Sequence, residues 1–137
     1  MLPRRLLGSV FLLALLAGAG CAQAPLGEAG SYEVFLAGPD GPLWNGTVGV
    51  GAAQATPLGV LRAASLVSGL GVRVEETAQG PYVRAIGPVA ETQTAGWCVF
   101  VDAGAGYVGI LRAADAQPLH AGERVLWAWS TMAPGPC

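Results

Sequence analysis

Hydrophobic residues alternate with polar ones along several short stretches of this chain. In SYEVFLAG (31–38), Tyr32, Val34 and Leu36 fall on one side and Glu33, Phe35 and Ala37 on the other, the period of two that marks a strand with one better-buried face. The same period returns in GWCVFVDAG (96–104), where Trp97, Val99 and Val101 oppose Cys98, Phe100 and Asp102. It returns again in ERVLWAWST (123–131), with Val125, Trp127 and Trp129 against Leu126 and Ala128. Shorter strands are expected at Thr47 to Val50, after a tight turn at Asn45-Gly46, and in GVRVEE (71–76). In GPYVRAIG (80–87), Tyr82, Arg84 and Ile86 should point opposite to Val83 and Ala85. Pro39-Asp40-Gly41-Pro42 and ETQTA (91–95) read as connectors, and residues 105–122 as an ordered loop with one short strand.

The period changes to that of a helix once. TPLGVLRAASLVSGLGV (56–72) has Thr56 to cap the start, Pro57 in the first turn where no amide donor is needed, and Gly69 or Gly71 to end it. Val60, Leu61, Ala64 and Val67 share its apolar face, and Arg62, Ser65 and Gly69 the other. Strands surrounding a single helix give an α+β domain in which the helix covers one face of the sheet.

Ahead of this pattern, MLPRRLLGSVFLLALLAGAGCAQA (1–24) has Arg4 and Arg5, an apolar run from Leu6 to Leu16 and then small residues, the layout of an export signal and too short for a membrane span. The organisation expected is a signal peptide over 1–21, a tether over 22–31, the domain over 32–131 and a tail over 132–137. Ala19-Gly20-Cys21 resembles the end of a lipobox, which makes Cys21 a lipidation site, although Gly18 stands where Leu is usual. Cleavage after Ala22 or Ala24 is the alternative. The chain is then exported to the cell envelope, lipid-anchored or otherwise secreted or periplasmic, and touches membrane only through that anchor.

Charge and chemistry narrow the function classes. Beyond the signal, the cationic side chains are Arg62, Arg73, Arg84, Arg112 and Arg124, scattered singly, and lysine is absent. No basic stripe exists to neutralise phosphates, so nucleic acid is not an expected partner. His120 is the single histidine and reads as an exposed turn residue, with axial ligation of a metal as the sharper alternative. Without a Cys-x-x-Cys no zinc site assembles. Glu75 and Glu76 are adjacent on a strand and so point to opposite faces. GAGYVG (104–109) lacks the strand and helix context of a dinucleotide loop. No enzyme and no required cofactor are expected. The aromatic residues exceed what one short helix can cover, and surplus aromatic surface marks a ligand or partner site.

An opening strand, then GPLWNGTV, TPLGVLRAAS, GPYVRAIG, GWCVFVDAG and LHAGERVLWAW, in that order and spacing, resemble the DUF4430 family. That family is a β-grasp-like domain related to the C-terminal cobalamin-binding domain of transcobalamin and intrinsic factor. The likeness covers about residues 32–131, and Gly96-Trp97 is its most specific element; Asp102-Ala103-Gly104 and Gly122-Glu123 replace the family's Asn-Gly and Gly-Asp. It implies a β-grasp-like mixed sheet with one packed helix. The ligand implied is cobalamin or a related corrinoid, bound near Tyr82, Phe100, Tyr107 and the loop before Leu119. In the transcobalamin relatives a separate helical domain holds the other side of the corrin, and none is read in these residues. The rival reading is a cell-surface module that docks a protein or wall polymer. The β-grasp order also sets the start of GWCVFVD beside the end of ERVLWAWST, which implies a disulfide between Cys98 and Cys137 in an oxidising compartment. The alternative is a buried Cys98 and a free thiol at Cys137.

Overall fold

A computed structural model describes residues 26–131. The expected signal peptide with Cys21, and the tail 132–137 with Cys137, lie outside them. The chain runs β1 (Gly30–Gly38), β2 (Gly41–Val50), a 3-10 turn (Ala52–Gln54), α1 (Pro57–Ser68), β3 (Val72–Thr77), β4 (Gly80–Ile86), β5 (Val89–Ala90), β6 (Gly96–Asp102), β7 (Tyr107–Gly109) and β8 (Arg124–Ser130). The fold is α+β, as expected, and the strands form two sheets. The larger has the order β2-β1-β8-β6-β7 and the smaller β3-β4-β5. β1 and β8 run parallel while the other pairs are antiparallel, so the larger sheet is mixed.

α1 begins and ends at its caps. Thr56 Oγ1 accepts from the Gly59 amide at 3.0 Å, Pro57 fills the first position, and Gly69 closes the helix at φ +77°, a conformation that favours glycine. Pro57, Leu58, Val60, Leu61 and Ala64 are buried against the sheet. Val67, expected on the same stripe, is 68% exposed. Periodicity continues into the last turn of the helix, but Leu66 and Val67 there are both exposed.

The core face of the larger sheet carries Tyr32, Val34 and Leu36 from β1, Val48 from β2, Trp97 and Val101 from β6, and Val125 and Trp127 from β8. Two indoles tie the layers together. Trp127 Nε1 donates to the Pro57 carbonyl of α1 at 3.2 Å, and Trp97 Nε1 donates to the Val89 carbonyl of the smaller sheet at 3.0 Å.

Two local expectations are corrected. Asn45-Gly46 is no turn: it lies within β2, opposite Phe35 and Val34. The turn is Pro39-Asp40, closed by Gly41 at φ +128°, so β2 starts six residues ahead of the expected Thr47. In β4, Ile86 and Val83 are both buried despite their opposite parity. The register of β3 with β4 shifts between Arg73 and Val74, where Val83 and Ala85 bracket Arg84, and this β-bulge inserts one residue and turns Ile86 to the side of Val83.

Part of the expected tether is bonded to the domain. The Glu28 amide donates to the Leu119 carbonyl at 2.8 Å, its carboxylate accepts from the Ala121 amide at 3.0 Å, and Gly30 and Ser31 belong to β1. The Tyr32 hydroxyl reaches the carbonyls of Glu28 and Leu119, and burial, then the Glu28 carboxylate, raise its pKa.

Candidate functional site

The bulge that redirects Ile86 leaves Tyr82 and Arg84 at the seam between the sheets. There Arg84 Cζ sits 4.4 Å from the centre of the Tyr82 ring, Nε bonds Glu75 at 2.8 Å, and Nη1 bonds Glu91. The Tyr82 hydroxyl stands near Gly96, where an added Cβ would come within 3.2 Å of it. Burial first, and the Glu91 carboxylate second, raise the Tyr82 pKa, so the phenol is neutral and a hydrogen-bond donor at physiological pH.

Tyr82 is also one wall of a 320 Å³ cleft between the smaller sheet and β6 and β8. Trp97, Val99 and Trp127 line its floor, and Ile110, Leu111 and Arg112 its far lip. The lip is the segment between β7 and β8, anchored where the Leu58 amide donates to the Ala114 carbonyl at 2.9 Å and the Leu119 amide to the Ala55 carbonyl at 2.8 Å. Leu111 is wholly exposed on it. The cleft offers the partly exposed ring of Tyr82 with its neutral phenol, aliphatic walls and one guanidinium at the rim, while Trp97 and Trp127 lie almost wholly buried beneath it. Such a surface binds by stacking and apolar contact with a few orienting polar groups.

The residues expected to form one ligand surface are divided between two surfaces and the core. Tyr82 lines this cleft. Phe100 and Tyr107 lie on the opposite, open face of the larger sheet: Phe100 is half-buried on β6, and Tyr107, on β7, is 40% exposed and opposite Asp102. Leu119 is fully buried in the core, with its backbone bonded at both ends, and reaches no surface. Sequence reading missed Ile110, Leu111 and Arg112 as cleft residues. They fall in the 105–122 stretch, whose mixed pattern carries no period that could aim them.

Asp102 explains itself differently. It is 3% exposed; Oδ1 accepts the Gly104 amide at 2.7 Å and the Gly106 amide at 3.0 Å, and Oδ2 bonds Arg124. The Gly104 amide first, Arg124 next and the Gly106 amide after them hold its pKa below the ordinary carboxylate value. It fixes the β6–β7 turn. Arg124 also stacks toward Tyr107, 5.7 Å from the ring centre, and lies 3.9 Å from Glu33. Because the folded carboxyl titrates below its unfolded value, near pH 4, its stabilisation is complete above that value and is lost as pH falls through the folded pKa. Asp102→Asn should therefore be less stable at pH 7 and show a shallower loss of melting temperature on the acid side. A scan of melting temperature from pH 7 to pH 2 for both proteins measures this, and parallel curves would remove Asp102 from that role.

His120 has a side chain 63% exposed, with Nδ1 3.4 Å from Glu28 Oε1. Among the described residues no group of three or more His, Cys, Asp or Glu side chains is placed to hold a metal ion, and no helix is long and apolar enough to cross a membrane.

No family model matches the sequence, and no curated protein does. Solved structures do. The chain is similar to haptocorrin, solved in complex with Cbi, at TM-score 0.61 and 18% identity; the match covers 76% of this chain and 26% of that one. The chain thus spans about a quarter of that protein. It is also similar to a protein from Ruminococcus gnavus described as a candidate metal-binding protein, at TM-score 0.55 and 14% identity, over 74% of this chain and 96% of that one. At such identities the likeness is one of fold.

Proposed function

We propose that this chain is an exported, non-catalytic ligand-binding domain whose inter-sheet cleft takes one edge or face of a flat, largely apolar ligand, with a corrinoid as the first candidate. The largely apolar cleft beside the Tyr82 ring carries this reading. Its 320 Å³ is at the low end of the roughly 300–1,000 Å³ of small-molecule sites, so a macrocycle would rest against it and be completed by another surface. The DUF4430-like motifs around Gly96-Trp97 and the fold shared with haptocorrin support the corrinoid. Tyr82 is the residue of the expected set that the cleft can use; Phe100 and Tyr107 would serve only a ligand on the open face.

The test is optical. Titrating a corrinoid into the purified protein should shift its visible spectrum and raise the protein's melting temperature, since a ligand of the native state alone stabilises it. Tyr82→Ala should weaken that binding about tenfold, or ~1.4 kcal/mol, and leave the fold intact. Full retention of affinity would remove Tyr82 from the site, and no spectral or thermal response would turn the reading to its rival. That rival, a cell-surface docking module, is favoured by the exposed Leu111, Val108 and Tyr107 along the β7 edge. Anchoring through a lipidated Cys21 belongs to the same proposal and is checked by incorporation of labelled fatty acid, which Cys21→Ser should abolish.

A further inference from the structure

The two sheets end in edge strands, and all but one of these are poorly suited to pairing. β5 has two residues and β7 three, and β3 carries Arg73, Glu75 and Glu76. Short length and charge are ordinary guards of an exposed edge. β2 has neither. It runs for ten residues at the end of the larger sheet and holds no charged side chain. Among the described residues, no backbone hydrogen bond reaches β2 except from β1. The bulge at Leu43 interrupts its pairing with β1 only near the start, and from Trp44 to Val50 the register is continuous. In that stretch the Trp44 ring lies over Gly46, where an added Cβ would stand 2.6 Å from Cζ2, so an aromatic ring covers the bare backbone of an edge glycine. Asn45, Thr47 and Gly49 are exposed on the other face.

The stretch is complementary to itself. A two-fold axis through Thr47 sets Thr47 opposite Thr47 of a second copy, Trp44 opposite Val50, Gly46 opposite Val48 and Asn45 opposite Gly49. Thr–Thr and aromatic–β-branched neighbours are favourable cross-strand pairs. Like charges stay apart. Glu33, beside Thr47 on β1, would stand about 14 Å from its copy, three strand spacings away, outside the ~8–10 Å screening length of physiological salt. Antiparallel pairing also keeps both α1 helices on one face of the joined sheet. α1 lies over β2 and β1, so two such helices would run about 10 Å apart, the distance at which helices pack. Leu66 and Val67, exposed on α1, are the apolar side chains available to that contact.

We propose that β2 is a homodimer interface, through which two copies join edge to edge, antiparallel about Thr47, into one continuous sheet. Such a contact uses the same patch twice and closes on itself, so it satisfies the edge without building a filament. The cleft lies beside β6 and β8, and the pairing is independent of it and of its ligand.

Sedimentation equilibrium of the purified protein tests this with paired charge variants. The unaltered protein should form a dimer as concentration rises. Thr47→Lys and Thr47→Glu each set like charges opposite one another and should each weaken the dimer about fivefold or more, while Thr47→Ser leaves it unchanged. An equimolar mixture of the lysine and glutamate variants should recover the dimer, which also shows that both remain folded. Weakening without recovery, with circular dichroism unchanged, would refute the axis at Thr47. A monomer at every concentration would overturn the proposal, and a dimer that then formed on removal of residues 132–137 would assign the edge to the chain's own tail. A dimer indifferent to the Thr47 variants but broken by Leu66→Ser would lie on the helices alone and overturn the strand pairing equally.

Discussion

Replacing Trp97 with alanine is expected to destabilise the domain by about 3–5 kcal/mol, the range for truncating a buried large aromatic. Three interactions are lost together. The indole is 4% exposed in the core, its Nε1 supplies the Val89 carbonyl with a donor across the two sheets, and its ring meets Trp129 edge-on at 5.7 Å and 76°. The cavity also opens into the cleft, so ligand binding should fall with stability. Trp97→Phe separates the contributions, since it keeps most of the packing and removes only the donor to Val89, at about 1–3 kcal/mol for the unpaired carbonyl. Urea unfolding followed by circular dichroism measures both. A change below about 1 kcal/mol in the alanine variant would show that Trp97 does not join the sheets.

Gly59→Ala should also destabilise, against the usual sign for a helix glycine. Alanine ordinarily gains up to ~1 kcal/mol in a helix interior. At Gly59 an added Cβ would lie 1.9 Å from the Gln54 carbonyl oxygen and 2.7 Å from its carbon. These are backbone atoms of the 3-10 turn, and the same oxygen accepts the Thr56 amide at 2.9 Å, so the turn cannot step aside without breaking the entry to α1. Overpacking of this kind costs typically 1–3 kcal/mol and outweighs the propensity gain. A melting temperature at or above that of the unaltered protein would refute the close approach.

Much of the fold was legible because its signals are local. Alternation named the inward residues of β1 and β8, and Thr56, Pro57 and Gly69 set the ends of α1. The failures share a different cause. Asn45-Gly46 has turn chemistry, yet Pro39-Asp40-Gly41 has it too and lies where β1 needs to reverse. The Arg84 bulge changes parity in the middle of β4, which no count of alternating residues can foresee. Val67 fits the helical stripe, but exposure there depends on how far the sheet extends below. The candidate site was less legible than the fold. Tyr82, Phe100, Tyr107 and Leu119 were grouped by likeness to a family, and which face of a sheet each occupies follows from register between strands far apart in sequence. Phe100 and Trp97 are three residues apart on one strand and face opposite ways.

The parallel pairing of β1 with β8, from Glu33 beside Arg124 to Ala37 beside Ala128, sets when this protein can fold. The first strand of the domain has its central neighbour in the last, so the middle of the sheet is missing until nearly the whole chain is present. Contacts of such sequence separation slow folding, because loop closure must precede the gain from pairing. A nascent chain can form the β1–β2 hairpin and α1 early, yet it holds an unpaired β1 edge until β8 arrives. That delay makes the arrival of β8 the event that commits the domain to its native state.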